Sequence, residues 1–279
     1  MKDLNEKDLH QRLKDVMTNL FTLTGKGQLS PIIDLNNSNI MRECKYWTSR
    51  FAHILEEYAL RGSDFVPPSP EEMLLPRLTW PNAPKAAEAI KGKEIFDGYL
   101  FKYGEYKHIH DIYEFGHILI RPASFYNDPS INFSIRDDEL SLKTASTEYK
   151  STFDYYLYCV SKIYDYRLFD VFQDKNNYDC CLIIKEPNIF STKLRTKFLE
   201  EMPDWNMSAQ EVSYIDPLLP PSKVDLFFSK HFRFSFNKEF RFVWLPSTND
   251  AKQIALKKQL KNVELIVSNL KDCCDLIKL

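Results

Sequence analysis

The spacing of apolar residues changes along this 279-residue chain, and that change limits the folds open to it. In residues 1–62, Leu9, Leu13 and Val16 recur at three- and four-residue steps, which is typical of amphipathic helices. From about Leu100 the apolar residues recur at every second position, as in strands with one buried face. The sequence therefore predicts an α+β protein, with a helical N-terminal appendage followed by a domain built on a mixed or antiparallel β-sheet.

The predicted appendage, residues 1–97, contains helices and a proline-rich connector. A break at TGKGQLSP separates the first helix from a second one at roughly 38–61. Residues 61–84 contain six prolines, which favour a connector over a core element, and the short helix APKAAEAIKGK ends this region. We therefore expect a semi-independent helical unit beside a second domain, residues 98–279.

The second domain shows several strand patterns and one clear helix. The helix, EYKHIHDIYEFG, has Gly116 as its expected C-terminal stop. The predicted strands lie within GYLFKYG, HILIRPASFYNDP, FDYYLYCVSKIYD, DCCLIIKE, FSFNKEFRFVW and NVELIVSN.

Composition and charge exclude several classes of protein. The formal net charge of −2 gives no global basic field for nucleic acid, although a local basic patch stays open. The N-terminus is charged, and no run approaches the roughly 18 apolar residues of a membrane span, so we expect a cytoplasmic protein without a signal peptide. The six cysteines form two adjacent pairs and two singletons, which favours reduced thiols over disulfides or a metal site.

The most regular alternation is FSFNKEFRFVW, residues 234–244. If the whole stretch is a strand, Asn237, Glu239 and Arg241 share the face opposite the aromatic residues. Arg241 would favour the ionised form of the Glu239 carboxylate, and Asn237 could bind a ligand that Glu239 also contacts. The alternative is a solvated strand face with a weak salt bridge.

A second candidate is the loop RPASFYNDPSIN, residues 121–132. Asn127 and Asp128 favour turns, and the rings of Phe125 and Tyr126 lie between them and the preceding strand. Loops fixed at the end of a strand often hold ligands. Alternatively, the polar side chains only satisfy the backbone of their own turn.

Two further features are weaker. Ser161 ends a predicted strand, where its hydroxyl could bind a ligand or cap the following segment. The run RDDEL, residues 136–140, offers three consecutive acids, but metal sites usually draw ligands from separate segments, so we expect no metal there.

The order of these motifs resembles that of a widespread bacterial domain family. The shared pattern is a strand leading to an Asn-Asp-Pro loop, a Cys-x-Ser strand end and a late Lys/Tyr-x-Glu-x-Arg strand. This layout in turn is similar to the ADP-ribosyltransferase fold of toxins and of the toxin components of bacterial toxin–antitoxin and antiphage systems. The resemblance covers about residues 98–270.

The resemblance implies a split sheet and an NAD-dependent ADP-ribosyltransferase. Lys102 and Tyr103 take the place of first-strand residues that hold NAD, and Ser161 that of a supporting hydroxyl. Glu239 corresponds to the catalytic glutamate and Asn237 to its polar partner. The chain departs from the usual pattern because it lacks Arg or His at the first-strand position and has no Ser-Thr-Ser run.

The resemblance also implies that Tyr126, Asn127 and Asp128 lie at the mouth of the NAD pocket, close to Glu239, with Arg241 contributing to cofactor binding. NAD would be a substrate, and no metal would be needed. The implied partners are a macromolecular acceptor (RNA, DNA or protein) and an antitoxin or regulator bound through the N-terminal helices.

Two alternatives stay open at this point. One is a non-enzymatic module in which the helices bind a partner and the sheet is a scaffold. The other is a metal-dependent nuclease that uses Asp128, Asp137 and Asp138.

Overall fold

The computed structural model describes most of the chain. The described residues are 2, 4–33, 37–69, 80–131, 136–172, 178–257 and 260–279. Ten residues of the predicted proline-rich connector, 70–79, lie outside them. No helix of the described ranges is long and apolar enough to cross a bilayer.

The described segments form a mixed α+β structure. The α-helices are α1 Glu6–Leu20, α2 Ser38–Arg61, α3 Ala83–Ala89, α4 Tyr106–Phe115, α5 Tyr166–Val171, α6 Pro187–Glu201 and α7 Asn249–Leu256. The strands are β1 Phe21–Leu23, β2 Leu29–Pro31, β3 Leu100–Gly104, β4 His117–Pro122, β5 Ser141–Lys143, β6 Glu148–Lys150, β7 Tyr156–Ser161, β8 Cys180–Ile184, β9 Trp205–Glu211, β10 Ser213–Ile215, β11 Ser229–His231, β12 Glu239–Pro246, β13 Val263–Ile266 and β14 Cys274–Lys278.

The predicted helices at the N-terminus are confirmed, with one correction. The Asn5 side chain caps α1 and the Asn37 side chain caps α2, so both helices begin at a residue that can satisfy their free N–H groups. The helical interpretation of residues 1–62 is wrong for the segment between the two helices, where β1 and β2 pair as a hairpin. The break expected at TGKGQLSP is the turn of that hairpin.

One eight-stranded sheet carries the rest of the fold. Its strands follow the order β13-β4-β7-β3-β8-β14, and β12 pairs with the other edge of β7 and with β9. All of these pairings are antiparallel. Helices α4, α6 and α7 cover one face of the sheet, and α3 and α5 cover the other. Strands such as β8 are therefore buried on both faces, which explains their continuously apolar sequence.

The sheet has a gap between β3 and β4. Both strands lie along the same edge of β7, but β4 pairs only with Tyr156 and Leu157, and β3 only with Ser161. In the part of the chain that the structure describes, no strand pairs with the β7 residues in between on that edge. The gap exposes backbone polar groups, and the Lys102 ammonium donates a 2.8 Å hydrogen bond to the carbonyl oxygen of Cys159 there.

The stretch 234–244 is not one strand, which corrects the prediction made from its alternation. Residues Phe232–Asn237 form a 3₁₀ helix, Lys238 adopts the left-handed conformation with φ of 44°, and β12 begins at Glu239. Tertiary packing overrides the local pattern here, because Phe232 stacks on Trp47 of α2 with ring centroids 5.7 Å apart.

The N-terminal helices contact the C-terminal half of the chain directly. Arg12 of α1 and Arg50 of α2 both form ion pairs with Asp216. Lys238 forms an ion pair with Glu43 of α2. The division of the chain near residue 97 stays a prediction, and the helices are in contact with the segment that leads into Glu239.

Candidate functional site

A cavity of about 660 Å³ lies at the gap in the sheet. Its lining includes residues of β3, α4, β4, β7, the loop after β4 and the segments around Glu139, Lys230 and Glu239. Six of the residues predicted from sequence line it: Lys102, Tyr103, Tyr126, Ser161, Asn237 and Glu239.

Glu239 belongs to a closed ring of two acids and two bases, which we call the four-residue ion cluster: Glu139, Lys230, Glu239 and Arg241. Glu239 Oε1 lies 2.5 Å from Arg241 Nε, and its Oε2 lies 3.3 Å from Lys230 Nζ. Glu139 completes the ring, with 3.2 Å from Oε1 to Lys230 Nζ and 2.7 Å from Oε2 to Arg241 Nη2. All four side chains are buried, so the solvated strand face considered for Glu239 is wrong.

The cluster fixes the charge of the Glu239 carboxylate. Burial by itself raises the pKa of Glu239, but the nearby Arg241 and Lys230 outweigh it and lower that pKa to about 2. In the same way, burial lowers the pKa of Lys230, but Glu239 and Glu139 raise it above its ordinary value. Glu239 is therefore ionised and Lys230 protonated throughout the physiological pH range.

Asp137 is a further acid beside this cluster. Its Oδ2 lies 4.0 Å from Lys230 Nζ. Burial raises the pKa of Asp137 to about 6, because the charge of Lys230 offsets only part of the cost of desolvation. The Asp137 carboxyl therefore changes charge closer to neutral pH than the Glu239 carboxyl does.

Asn237 reaches the cavity from the 3₁₀ helix rather than from the strand face on which the alternation placed it. Ser161 Oγ donates a 2.7 Å hydrogen bond to the Asn237 carbonyl oxygen, which fixes the backbone next to Glu239. The side-chain oxygen of Asn237 is buried and accepts no hydrogen bond from the described residues. A buried, unsatisfied acceptor is costly, so a ligand that donates a hydrogen bond there would gain affinity.

Arg241 shares the face of Glu239, as predicted, but lies outside the cavity lining. It is 0% exposed, and its Nη1 donates a 3.0 Å hydrogen bond to the Phe227 carbonyl oxygen. Its guanidinium therefore holds the Glu239 carboxylate in position without lining the cavity itself. The predicted contact of Arg241 with NAD stays a prediction.

The loop after β4 is divided between two places. Tyr126 lines the cavity that holds Glu239, although 113 residues separate the two in sequence. Asn127 and Asp128 are exposed and line a separate surface depression beside Lys261. Asp128 accepts a 2.8 Å hydrogen bond from the Ser130 N–H, so it satisfies its own turn as the alternative interpretation expected.

The two predicted first-strand residues have different surroundings. Lys102 lies in the gap and is bound to the Cys159 carbonyl. The Tyr103 hydroxyl donates to the Ile163 carbonyl oxygen at 2.9 Å and accepts from the Asp165 N–H at 2.8 Å. Tyr103 therefore holds the segment after β7 in place, with its hydroxyl already occupied.

The acids of the nuclease alternative do not converge. Asp138 accepts hydrogen bonds from the Leu140 N–H and the Ser141 hydroxyl, Asp137 lies beside Lys230, and Asp128 lies at the other depression. Within the described residues, no group of three or more His, Cys, Asp or Glu side chains is arranged to hold a metal ion.

Sequence reasoning missed three residues of the site: Arg121, Glu139 and Lys230. The sequence shows Glu139 only as one of three consecutive acids. Lys230 lies nine positions before Glu239 in sequence, and no periodic pattern connects the two. The pairing of Lys230 with Glu139, 91 residues apart, exists only in the folded chain.

Comparisons with known proteins return no match: no family model matches the sequence, and no curated protein or solved structure matches it significantly.

Proposed function

We propose that the protein is an NAD-dependent ADP-ribosyltransferase that acts on a macromolecular acceptor, protein or nucleic acid. The observation that carries the proposal is the ionised, buried carboxylate of Glu239 in the lining of the 660 Å³ cavity at the gap in the sheet. A gap of this kind agrees with the split sheet that the sequence resemblance implies.

The chemistry needs a fixed negative charge beside the ribose. When the bond from ribose C1′ to the nicotinamide nitrogen breaks, its electron pair leaves with nicotinamide and the ribose acquires oxocarbenium character. The Glu239 carboxylate would offset that positive charge, as carboxylates do in glycoside hydrolysis. An acceptor nucleophile then bonds to C1′ and loses its proton to solvent.

Other lining residues suit a nicotinamide nucleotide. The cavity volume falls within the ~300–1,000 Å³ range of small-molecule sites. The Tyr126 ring offers an aromatic face for stacking. The unsatisfied side-chain oxygen of Asn237 would accept a hydrogen bond from a ribose hydroxyl or a carboxamide NH₂.

The test is NAD cleavage with two labels. The protein is incubated with bacterial lysate and NAD labelled either in adenine or in nicotinamide. We expect adenine label to enter macromolecules and nicotinamide label to be released. Glu239→Gln should abolish both, whereas Glu211→Gln, an exposed carboxylate on the neighbouring strand β9, should change neither.

Loss of folding must be separated from loss of chemistry, because Glu239 is buried. Glu239→Asp keeps the charge and withdraws the carboxylate by one methylene. It should retain the melting temperature better than Glu239→Gln while still losing most of the cleavage rate. Absence of NAD cleavage by the folded wild-type protein would overturn the proposal.

We further propose that the transfer makes the chain a bacterial toxin or antiphage effector. The support is the sequence resemblance alone. Induced expression in a bacterial host should arrest growth, and Glu239→Gln should relieve the arrest. Growth arrest that persists in a folded Glu239→Gln variant would favour the partner-binding module instead.

A further inference from the structure

Arg121 is a cavity residue without an acidic partner among the described residues. It lies near the end of β4, is half-buried, and lines the cavity at the gap. Its guanidinium lies 3.9 Å from the centre of the Phe125 ring. No described residue forms a hydrogen bond or ion pair with that guanidinium, so its planar set of N–H donors is unused.

Lys102 reaches the same cavity from β3, on the other side of the gap. Its Nζ donates one hydrogen bond, to the Cys159 carbonyl, and lies 4.6 Å from the centre of the Tyr158 ring. An ammonium has three donors, so two are left for a ligand. Burial lowers the pKa of Lys102, and the positive charge of Arg121 lowers it further. Both side chains line the same cavity, so an anion bound there would be attracted by both.

We propose that Arg121 and Lys102 form a phosphate-binding subsite that takes the diphosphate of a nucleotide. The planar donor set of a guanidinium can bind two phosphate oxygens at once, and the ammonium adds a point charge. In the same cavity, Lys230 is already paired with Glu139 and Glu239, so it attracts a phosphate less than Arg121, which has no such partner among the described residues. The anion consequently belongs with the two cations, and the sugar end of the ligand extends towards Glu239.

This inference deepens the proposed function, and the choice of an ADP-ribosyl nucleotide rests on that function. The subsite itself rests on the two cations alone. The two ideas can be separated because ADP-ribose and ADP carry the diphosphate but have no nicotinamide bond to cleave.

The experiment is isothermal titration of the full chain with ADP-ribose, ADP, inorganic pyrophosphate and adenosine at two salt concentrations. We expect ADP-ribose and ADP to bind at least tenfold more tightly than adenosine, with an affinity that falls as salt rises. Arg121→Gln should weaken ADP-ribose binding at least tenfold. Arg195→Gln, which changes an exposed arginine of α6, should leave it unchanged.

A conservative variant guards against loss of folding. Arg121→Lys keeps the charge but loses the planar donor set, so it should bind ADP-ribose with intermediate affinity. If Arg121→Gln does not fold, the test is the ADP-ribose affinity of Arg121→Lys compared with that of wild type. Equal affinities of these two proteins would overturn the subsite.

The outcomes separate the two proposals. Binding of ADP-ribose that depends on Arg121, without any NAD cleavage, supports the subsite and overturns the transferase. NAD cleavage with unchanged ADP-ribose affinity in Arg121→Gln overturns the subsite and leaves the transferase. Failure of ADP-ribose, ADP and pyrophosphate to bind also overturns the subsite.

Discussion

Two of the buried groups of charges in the described part of the protein both contain carboxylates and arginines but differ in setting. One, the Asp216 cluster, consists of Asp216, Arg12 and Arg50 and joins the N-terminal helices to the segment after β10. The other is the four-residue ion cluster around Glu239. Both hold carboxylates against arginines at distances of 2.5–3.0 Å.

The carboxylate of the Asp216 cluster is saturated. Arg12 donates two hydrogen bonds to the Asp216 carboxylate, at 2.9 and 2.7 Å, and Arg50 donates a third at 3.0 Å. The Leu218 N–H donates a fourth. Arg50 also lies flat on the Tyr46 ring, 3.4 Å from its centre. These contacts leave Asp216 no capacity for a ligand, which is the pattern of a structural connection.

The cluster around Glu239 is instead open on one side. Lys230, Glu139 and Glu239 all line the cavity, and the neighbouring Asn237 oxygen has no partner among the described residues. The comparison shows that buried charge alone does not identify a functional site. Free volume beside the charge, together with unsatisfied polar atoms, is the more informative feature.

The largest expected effect is on stability at the Asp216 cluster. Asp216→Ala leaves two arginines without their shared acid and should lower the free energy of unfolding by about 3–5 kcal/mol. Urea denaturation measures this. The matched control is Asp272→Ala, an exposed acid paired with Lys193, which should cost under about 0.5 kcal/mol. A cost below about 1 kcal/mol for Asp216→Ala would contradict the structural assignment of this cluster.

The second prediction concerns pH: Asp137, which lies beside the four-residue ion cluster, and Asp216 should respond in opposite directions. The pKa of Asp137 is raised from 3.8 to about 6, so its contribution to stability is present below about pH 4 and is lost as pH rises to about 6. A shift of about two units corresponds to about 3 kcal/mol. Burial acts to raise the pKa of Asp216 as well, but Arg12 and the other partners lower it, so Asp216 loses its contribution as pH falls.

The measurement is the stability difference between wild type and Asp137→Asn from pH 4 to pH 7. The variant should gain stability relative to wild type as pH rises, because wild type loses the contribution of the protonated Asp137 carboxyl. Burial also raises the pKa of Asp15 to about 6, but Asp15 is present in both proteins and cancels. A flat difference would show that Asp137 is more hydrated than its burial suggests.

Third, Glu239→Gln should cost about 2 kcal/mol, less than Asp216→Ala, because Glu139 still pairs with both Lys230 and Arg241. The cavity also admits water to the cations that lose a partner. Denaturant unfolding of both variants under identical conditions checks the order. If Glu239→Gln proves more destabilising than Asp216→Ala, the four-residue ion cluster contributes at least as much to stability as the Asp216 cluster.

The smallest expected effect is at the ion pair between Lys238 and Glu43, which links α2 to the residue before Glu239. These side chains are 27% and 23% exposed, so solvent screens the pair. A double-mutant cycle with Lys238→Gln and Glu43→Gln should give a coupling energy below about 1 kcal/mol. A coupling above about 2 kcal/mol would place this pair with the buried clusters.

Local sequence patterns predicted those helices and strands whose conformation depends mainly on their own residues. The bounds of α2 and the stop of α4 at Gly116 follow from capping residues and apolar spacing. Strands β7 and β8 follow from short apolar runs. Strand β9, WNMSAQE, escaped detection because its polar residues carry little strand propensity and are held by pairing with β12.

The site was predicted in part for the same reason. Tyr126, Ser161, Asn237 and Glu239 belong to local motifs, and the structure brings all four to one cavity. Arg121 and the partners of Glu239 belong to no motif. Their role depends on which strands pair around the gap, and a single sequence does not encode that in any local pattern.

The contact between α1 and the C-terminal half also bears on how the chain is made. Arg12 and Asp216 are 204 positions apart. At ~5–20 residues per second, a ribosome releases Asp216 roughly 10–40 s after Arg12. During that interval Phe232, which packs in the same cluster as the apolar stripe of α1, has not been synthesised. The part of the α1 stripe that Phe232 covers in the folded protein therefore stays uncovered until the segment after β10 has been made.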